Sequence, residues 1–319
     1  MATSGTYTFN LNTQQVIKDA LIEAGVIRDD QEVDGGMYDS ARRRLNRILK
    51  ALQAQGLHLW RTTDCTLILE DGKREYTLGP SGDKWTETLV NTTLSAAEAL
   101  GQTILSVTSS AGMTAADIVG IELDSGTIDW TTIASVDSTT QITVDVATTG
   151  VAASGNRVYA YTALAPKPLK IHSAYIIRAG NETNSTPLNI IPMDEYFQRN
   201  DKTTESYPND VFFRPLLTTA EVKVWPLSAD NTSYIVMMAE LPLDDLTITT
   251  DDLSVPNWWY EAIHYKMSAA LALSYGSPID RVRILEAKSM TTTEEAKNFS
   301  AEDTYVQITP EYYLGYHYD

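Results

Sequence analysis

Two short stretches carry residue types that bind calcium or phosphate, but neither has the spacing that such a site needs. Residues 30–35 (Asp-x-Glu-x-Asp-Gly) look like the start of a calcium loop, yet the twelfth position, where a bidentate glutamate belongs, is Ala41. Residues 79–84 (Gly-Pro-Ser-Gly-Asp-Lys) lack the spacing of a phosphate loop. We therefore interpret the first as an acidic linker with a glycine turn and the second as a turn.

Histidines and paired carboxylates are the remaining candidates for acid–base chemistry. His58, His172, His264 and His317 lie far apart in sequence, and none has a histidine or cysteine at metal-ligand spacing. His264 would be the one to test as a general base, but no nucleophile or substrate partner can be named for it. The adjacent carboxylates at 244–245 and 251–252 are typical of turns and helix entries. The sequence thus predicts no catalytic residue, no metal site and no cofactor, and a chain that is not an enzyme.

One predicted helix carries a cluster of positive side chains, and this cluster allows three interpretations. The positions are Arg42, Arg43, Arg47 and Lys50. They could contact DNA phosphates, an acidic neighbouring subunit, or only solvent. The sequence leaves these three open.

The chain ends in a stretch that is unusually rich in tyrosine. Tyrosine offers a large contact area with few rotatable bonds, so residues 301–319 suit docking into a groove on a partner; folding back onto the same chain is equally compatible. The residues predicted to dock on a partner are Tyr305, Ile308, Tyr312, Tyr313, Leu314, Tyr316 and Tyr318.

The composition is acidic, with 42 Asp and Glu against 24 Lys and Arg and a net charge of −18. Such a surface repels nucleic acid on average, because nonspecific binding needs cations that displace phosphate counterions. Cys65 is the single cysteine, which excludes an intrachain disulfide and favours a reducing compartment. The first residues do not read as a secretion signal, and no apolar run reaches membrane-spanning length.

The hydrophobic pattern predicts an α+β fold with a helical core, an antiparallel β region and an inserted small all-β barrel or sandwich. Two N-terminal helices cover 13–24 and the stretch around 41–52, and two C-terminal helices cover 256–275 and 278–298. A hairpin is expected from 66–70 and 74–78 around Asp71-Gly72. Five short alternating runs between 88 and 162 indicate the inserted module, with Trp130, Ile121, Val144 and Tyr159 filling its interior. The predicted domains are 1–87 with 163–300, the insert 88–162, and the tail 301–319.

Several of these stretches resemble the head-to-tail adaptor (connector) proteins of tailed bacteriophages, a family that includes tail accessory factors and tail tubular proteins of short-tailed phages. Residues 41–60 look like the second helix of that family and the turn after it. Residues 168–196 and 222–226 are similar to its strand region, and 256–263 with the alanine-rich helix that follows resemble its C-terminal helix pair. The resemblance covers roughly residues 10–85 and 165–300, and the module at 88–162 departs from short family members.

The resemblance implies a virion protein that forms a ring of twelve copies below the portal and continues the DNA channel into the tail. Its partners would be further copies of itself, the portal, a downstream tail or nozzle protein and tail fibres. DNA would pass without sequence-specific binding, and no membrane would be involved. Assembly would take place in the bacterial cytoplasm, with the final location at the capsid–tail junction.

Two other functions compete with the adaptor. One is a different tail or baseplate protein that anchors fibres. The other is a glycan-binding or glycan-hydrolysing virion protein that uses Trp130 and Tyr159 or acidic residues of the β-rich region. Stoichiometry and position in the particle separate the first from an adaptor, and glycan assays separate the second.

Overall fold

A computed structural model of the chain describes residues 9–55, 61–178 and 180–300, with only the backbone of Glu182. The fold is mixed α+β and divides into two compact units. The first combines Met1–His58 with Leu243–Asp319, and the second is Leu59–Pro242.

Five α-helices lie in the described residues, and three of them begin or end at a capping residue. Asn12 and Gln15 form a reciprocal capping box at the first helix, and the Asp34 carboxylate accepts the backbone N–H of Gly36 at the start of the second. Gly276, with a φ of +72°, ends the fourth in the left-handed conformation that glycine adopts most readily. The helices are α1 (Thr13–Glu23), α2 (Gly35–Gln53), α3 (Met193–Gln198), α4 (Tyr260–Tyr275) and α5 (Ile279–Ser300).

Helix α4 is the element of the first unit on which the other long helices pack. It contacts α1, α2 and α5, and Ile263 and Met267 on it are fully buried. A 3-10 turn at Asn257–Trp259 leads into it. Its last turn is less buried, because Leu273 and Tyr275 are exposed.

The second unit contains two sheets built from fourteen described strands. The strands are β1 (Thr62–Ile68), β2 (Glu75–Leu78), β3 (Trp85–Thr86), β4 (Val90–Thr93), β5 (Ile104–Ser106), β6 (Ile118–Glu122), β7 (Ile128–Ser138), β8 (Gln141–Val144), β9 (Arg157–Tyr161), β10 (Lys170–Arg178), β11 (Asn181–Ile190), β12 (Asp210–Pro215), β13 (Ala220–Trp225) and β14 (Tyr234–Glu240). The larger sheet has the order β2-β13-β12-β11-β10-β14-β1-β3, and the smaller one β4-β9-β6-β7-β8-β5.

The larger sheet corrects two expectations. The predicted hairpin between 66–70 and 74–78 is wrong: the turn at Gly72 exists, with a φ of +66°, but β1 pairs with β14 while β2 pairs with β13. Long-range partners thus outcompete the local one. The sheet is also not purely antiparallel, because β11 and β12 run parallel, with α3 between them as the crossover that a parallel pair needs.

The smaller sheet comprises all five runs predicted between 88 and 162, together with β4. An isolated bridge joins Leu94 to Val107 beside the two edge strands, so the sheet is nearly closed. Its core includes Ile121 and Val144 as expected. Tyr159 is buried on the opposite face, since Val158 and Ala160 point into this core and side chains alternate along a strand.

The α+β class is therefore confirmed, whereas the description of the four long helices as one helical core is not. The division into the domains 1–87 with 163–300, 88–162 and 301–319 stays a prediction. Within the described part of the chain, no helix combines the length and the apolar character needed to span a membrane.

Candidate interaction surfaces

Side chains on the polar face of α2 bond to residues 243–246, where the C-terminal part of the first unit begins. Arg42 Nη1 donates to the Leu246 carbonyl at 3.0 Å, and Lys50 Nζ donates to the Leu243 carbonyl at 2.6 Å. Lys50 also contacts the Asp245 carboxylate at 2.9 Å. Asn46 lies between them on the helix, and its side-chain amide donates to the Leu246 carbonyl and accepts the Leu246 N–H, both at 3.0 Å.

These contacts divide the four cations that the sequence singled out. Arg42 and Lys50 bond to the same unit of the same chain. Arg43 and Arg47 are exposed, and neither forms an ion pair with any residue that the structure describes. Arg43 and Arg47 are therefore the two that remain available to a neighbouring subunit or to phosphate, and their role stays a prediction.

A shallow basic groove of about 290 Å³ lies between α2 and α4. Its floor is apolar and its sides are the stems of Arg44, Arg47 and Lys266. The Arg44 guanidinium donates to the Ala270 carbonyl, which fixes its position. Burial lowers the pKa of Lys266, and repulsion from Lys297 lowers it further. Positive charge is thus in surplus on this side of the unit.

A second groove, of about 440 Å³, lies between α1 and α4 and has the opposite character. Its walls carry four carboxylates and a group of aromatic rings. None of the four carboxylates forms an ion pair within the described ranges. The lining residues are Phe9, Leu11, Asp19, Ile22, Glu23, Asp29, Tyr260, Glu261, His264 and Tyr265. We call this the acidic groove.

Tyr260 lines the acidic groove and carries an unsatisfied hydroxyl group. The residue is 8% exposed, and its hydroxyl has no hydrogen-bond partner among the described residues. Phe9 packs edge-on against its ring at 6.0 Å. On the same side, Lys288 Nζ lies 3.1 Å from the Tyr265 hydroxyl and offsets part of the negative charge. The Tyr260 hydroxyl oxygen itself has an exposed area below 1 Å², so Tyr260 lines the groove through its ring.

The stretches that resembled ion and phosphate sites have structural roles. Asp34 caps α2. In residues 79–84, Asp83 accepts the Thr77 N–H at 2.7 Å and Lys84 contacts the Glu70 carboxylate at 2.8 Å, which builds the turn between β2 and β3. Asp251 accepts the backbone N–H groups of Thr247 and Ile248 and so closes a turn. No group of three potential metal ligands occurs in the described part of the chain.

The aromatic pair considered for glycan binding is separated by the fold. Tyr159 is fully buried, and its hydroxyl donates to the Thr232 carbonyl while its ring meets Tyr234 edge-on at 6.2 Å. It therefore has no face to offer a sugar. Trp130 is half-buried beneath the Lys84 ammonium, which lies 5.0 Å from its ring centre, at one side of a groove of about 370 Å³.

The remaining predicted positions are only partly within the described ranges. His264 lines the acidic groove, and His172 Nε2 lies 3.6 Å from the Glu240 carboxylate. His58, His317 and all seven docking residues of the tail (Tyr305, Ile308, Tyr312, Tyr313, Leu314, Tyr316 and Tyr318) lie outside the residues that the structure describes.

Sequence reasoning missed the acidic groove. Asp19 and Glu23 stand four residues apart on α1, which places both on one helix face and is visible in the sequence. That Glu261 and the unpartnered Tyr260 hydroxyl lie opposite them follows only from the packing of α4 on α1.

Comparison of the sequence with models of protein families and with curated proteins finds no match.

Proposed function

We propose that this chain is a virion structural protein, a head-to-tail adaptor that forms a ring below the portal of a tailed bacteriophage. In this role it connects the capsid to the tail and continues the channel for DNA ejection. The four long helices form the core that carries the ring contacts, and the nearly closed sheet between Val90 and Tyr161 is an accessory module. The proposal starts from the resemblance of residues 41–60, 168–196, 222–226 and 256–263 to that family.

The observation that carries the proposal is the amount of apolar surface on the C-terminal helix pair. Seven large apolar side chains between residues 258 and 299 are 42% to 71% exposed. Exposed apolar side chains in this number on one helix pair favour a surface that another protein covers. The residues are Trp258, Leu273, Tyr275, Ile279, Ile284, Met290 and Phe299.

The charge of the chain supports a wall along which DNA slides. A net charge of −18 disfavours phosphate adhesion on most of the surface. Screening limits this effect to about 8 Å at physiological salt, so only side chains close to the channel contribute. An acidic ring of about twelve copies, as the resemblance implies, passes DNA without retaining it.

The test is an image of the purified protein mixed with the portal protein of the same virus. We expect a closed ring of this chain seated on one end of the portal, and the same ring at the capsid–tail junction of intact particles. Absence of the chain from that junction contradicts the proposal. A location at the fibre attachment sites contradicts it too and favours a fibre-anchoring protein.

A further inference from the structure

We propose that the acidic groove of one copy receives the Arg43 and Arg47 face of the next copy, so that identical chains join head to tail. This inference rests on the proposed ring and names the side chains that would build it. The contact is heterologous, because a basic face on one copy meets an acidic groove on its neighbour. Heterologous contacts that close produce rings.

The acidic groove and the basic groove, which Arg47 lines, lie on different sides of α4. Glu261 and Tyr265 of α4 face the acidic groove, while Lys266 and Ala270 face the basic groove. Glu261 and Tyr265 lie four residues apart, as do Lys266 and Ala270. Glu261 and Lys266 lie five residues apart, which corresponds to about 140° around an α-helix. One copy can therefore contact a neighbour on each side at the same time.

The acidic groove has the chemistry that binds guanidinium groups. Asp19, Glu23 and Glu261 line the groove and form no ion pair within the described residues. Arginine carries five N–H donors in a planar fork, which can bond to two carboxylates together. Its guanidinium also stacks on aromatic rings such as that of Tyr265.

The spacing of the two charged pairs matches. Arg43 and Arg47 lie one helical turn apart on α2, and Asp19 and Glu23 lie one helical turn apart on α1. Side chains at this spacing are about 6 Å apart on a helix surface. Two arginines of one copy can therefore meet two carboxylates of the next without distortion of either helix.

Charge also indicates whether a second copy or DNA binds to these two surfaces. DNA satisfies the basic face but is repelled from the acidic groove, whereas a second copy satisfies both surfaces with one contact. Lys266 lines the same groove as Arg47 and adds to the attraction of this face for carboxylates.

The experiment uses two charge-reversed variants of the full chain. The basic-face variant carries Arg43→Glu and Arg47→Glu, and the acidic-groove variant carries Asp19→Lys and Glu23→Lys. All four positions are exposed, so both variants should fold. We expect each variant alone to lose the ring, with an association constant at least about tenfold lower. An equimolar mixture should recover the ring, because each reversed surface then meets its complement.

A matched control lies in the second unit. The double variant Asp64→Lys with Glu87→Lys reverses two exposed carboxylates outside both grooves, as the acidic-groove variant does inside one. This control should assemble like the wild type. Ring mass is measured by native mass spectrometry with and without the portal, and circular dichroism verifies the fold of every variant.

The outcomes separate this inference from the proposed function. If folded variants of both kinds assemble as the wild type does, or if their mixture fails to recover the ring, the inference is overturned while the ring itself stands. If the basic-face variant keeps its ring but loses binding to short duplex DNA, the face contacts phosphate and the inference is also overturned. A wild type that forms no ring, alone or on the portal, contradicts the proposed function itself.

Discussion

Cys65 shows how strongly the interior of the larger sheet suppresses a reactive group. Its side chain is fully buried on β1, and burial raises the pKa of the thiol to about 12, with smaller contributions from Glu87 and Asp64. The thiolate is the reactive form of cysteine, so a raised pKa and lack of access act in the same direction. Cys65 is therefore a structural residue of the core.

We expect thiol reagents to label Cys65 only when the second unit opens. At pH 8 the folded thiol should react at least roughly a thousandfold more slowly than the unfolded one, because few molecules carry a thiolate. The measurement is the labelling rate across a urea series, followed by mass spectrometry. Rapid labelling without denaturant contradicts the buried position.

Glu70 lies in a small network of charges beside the turn at residues 79–84. Its carboxylate contacts Lys84 Nζ at 2.8 Å and Lys73 Nζ at 3.1 Å. Burial alone would raise the pKa of Glu70, but the hydrogen bonds from Lys84 and Lys73 outweigh it and hold that pKa below its ordinary value. The carboxylate therefore stabilises the folded state in its charged form.

The variant Glu70→Gln should lose stability in a pH-dependent way. A lowered folded pKa contributes stability above the unfolded pKa of about 4.3 and loses it as the pH falls through the folded value. The difference in free energy of unfolding between wild type and variant should thus be largest near neutral pH and shrink below about pH 4. Urea unfolding at several pH values measures it, with Glu286→Gln as the exposed control. A difference independent of pH would exclude the ion pairs as the cause.

At the scale of elements, α2 both fixes a neighbouring chain segment and presents side chains to solvent. Three of its side chains, Arg42, Asn46 and Lys50, lie one turn apart and bond to backbone groups of residues 243–246. The intervening Arg43 and Arg47 point away from that segment to solvent. The helical period therefore separates side chains that fix the unit from those that remain for a partner.

Replacement of Asn46 by alanine should destabilise the first unit by about 1–3 kcal/mol, because it removes the partner of the Leu246 N–H and leaves the Leu246 carbonyl with Arg42 alone. Arg47→Ala, one residue away and exposed, should change the stability by less than about 0.5 kcal/mol. Urea unfolding of both variants gives the comparison. Equal effects of the two substitutions would show that the bonds to Leu246 contribute nothing measurable.

On the scale of the whole molecule, the distribution of charge is uneven. Arg157 is the single Lys or Arg between residues 88 and 162, where seven Asp and Glu occur. The basic positions Arg43 and Arg47 therefore stand out against an acidic background. Association through them should weaken as salt rises, because exposed ion pairs are screened.

Deletion of residues 305–319 tests the tyrosine-rich tail. We expect a folded monomer that no longer assembles on its portal, since the tail is predicted to dock on the portal or on an adjacent subunit. Circular dichroism verifies the fold, and images of the mixture with the portal show the assembly. A truncated chain that assembles normally contradicts the docking role.

The sequence alone determined most local elements of this protein. Hydrophobic periodicity located the four long helices and the five short strands of the smaller sheet, because helix and strand place their apolar residues at different spacings. Cap residues such as Asn12 and Gly276 gave several boundaries for the same local reason. The predicted hairpin after residue 66 failed because a turn signal specifies a reversal of the chain and not the strand that pairs beyond it.

Only the tertiary structure decided which residues meet across elements. In the folded chain β1 pairs with β14 and β2 with β13, and Tyr159 is buried on the face away from the core of its own sheet. Arg42 and Lys50 bond to residues of the same unit. Arg43 and Arg47 have no partner among the described residues. The fold also brings Asp19 and Glu23 opposite Tyr260. Such pairings depend on the packing of segments that lie far apart in the sequence, and local spacing carries no information on that packing.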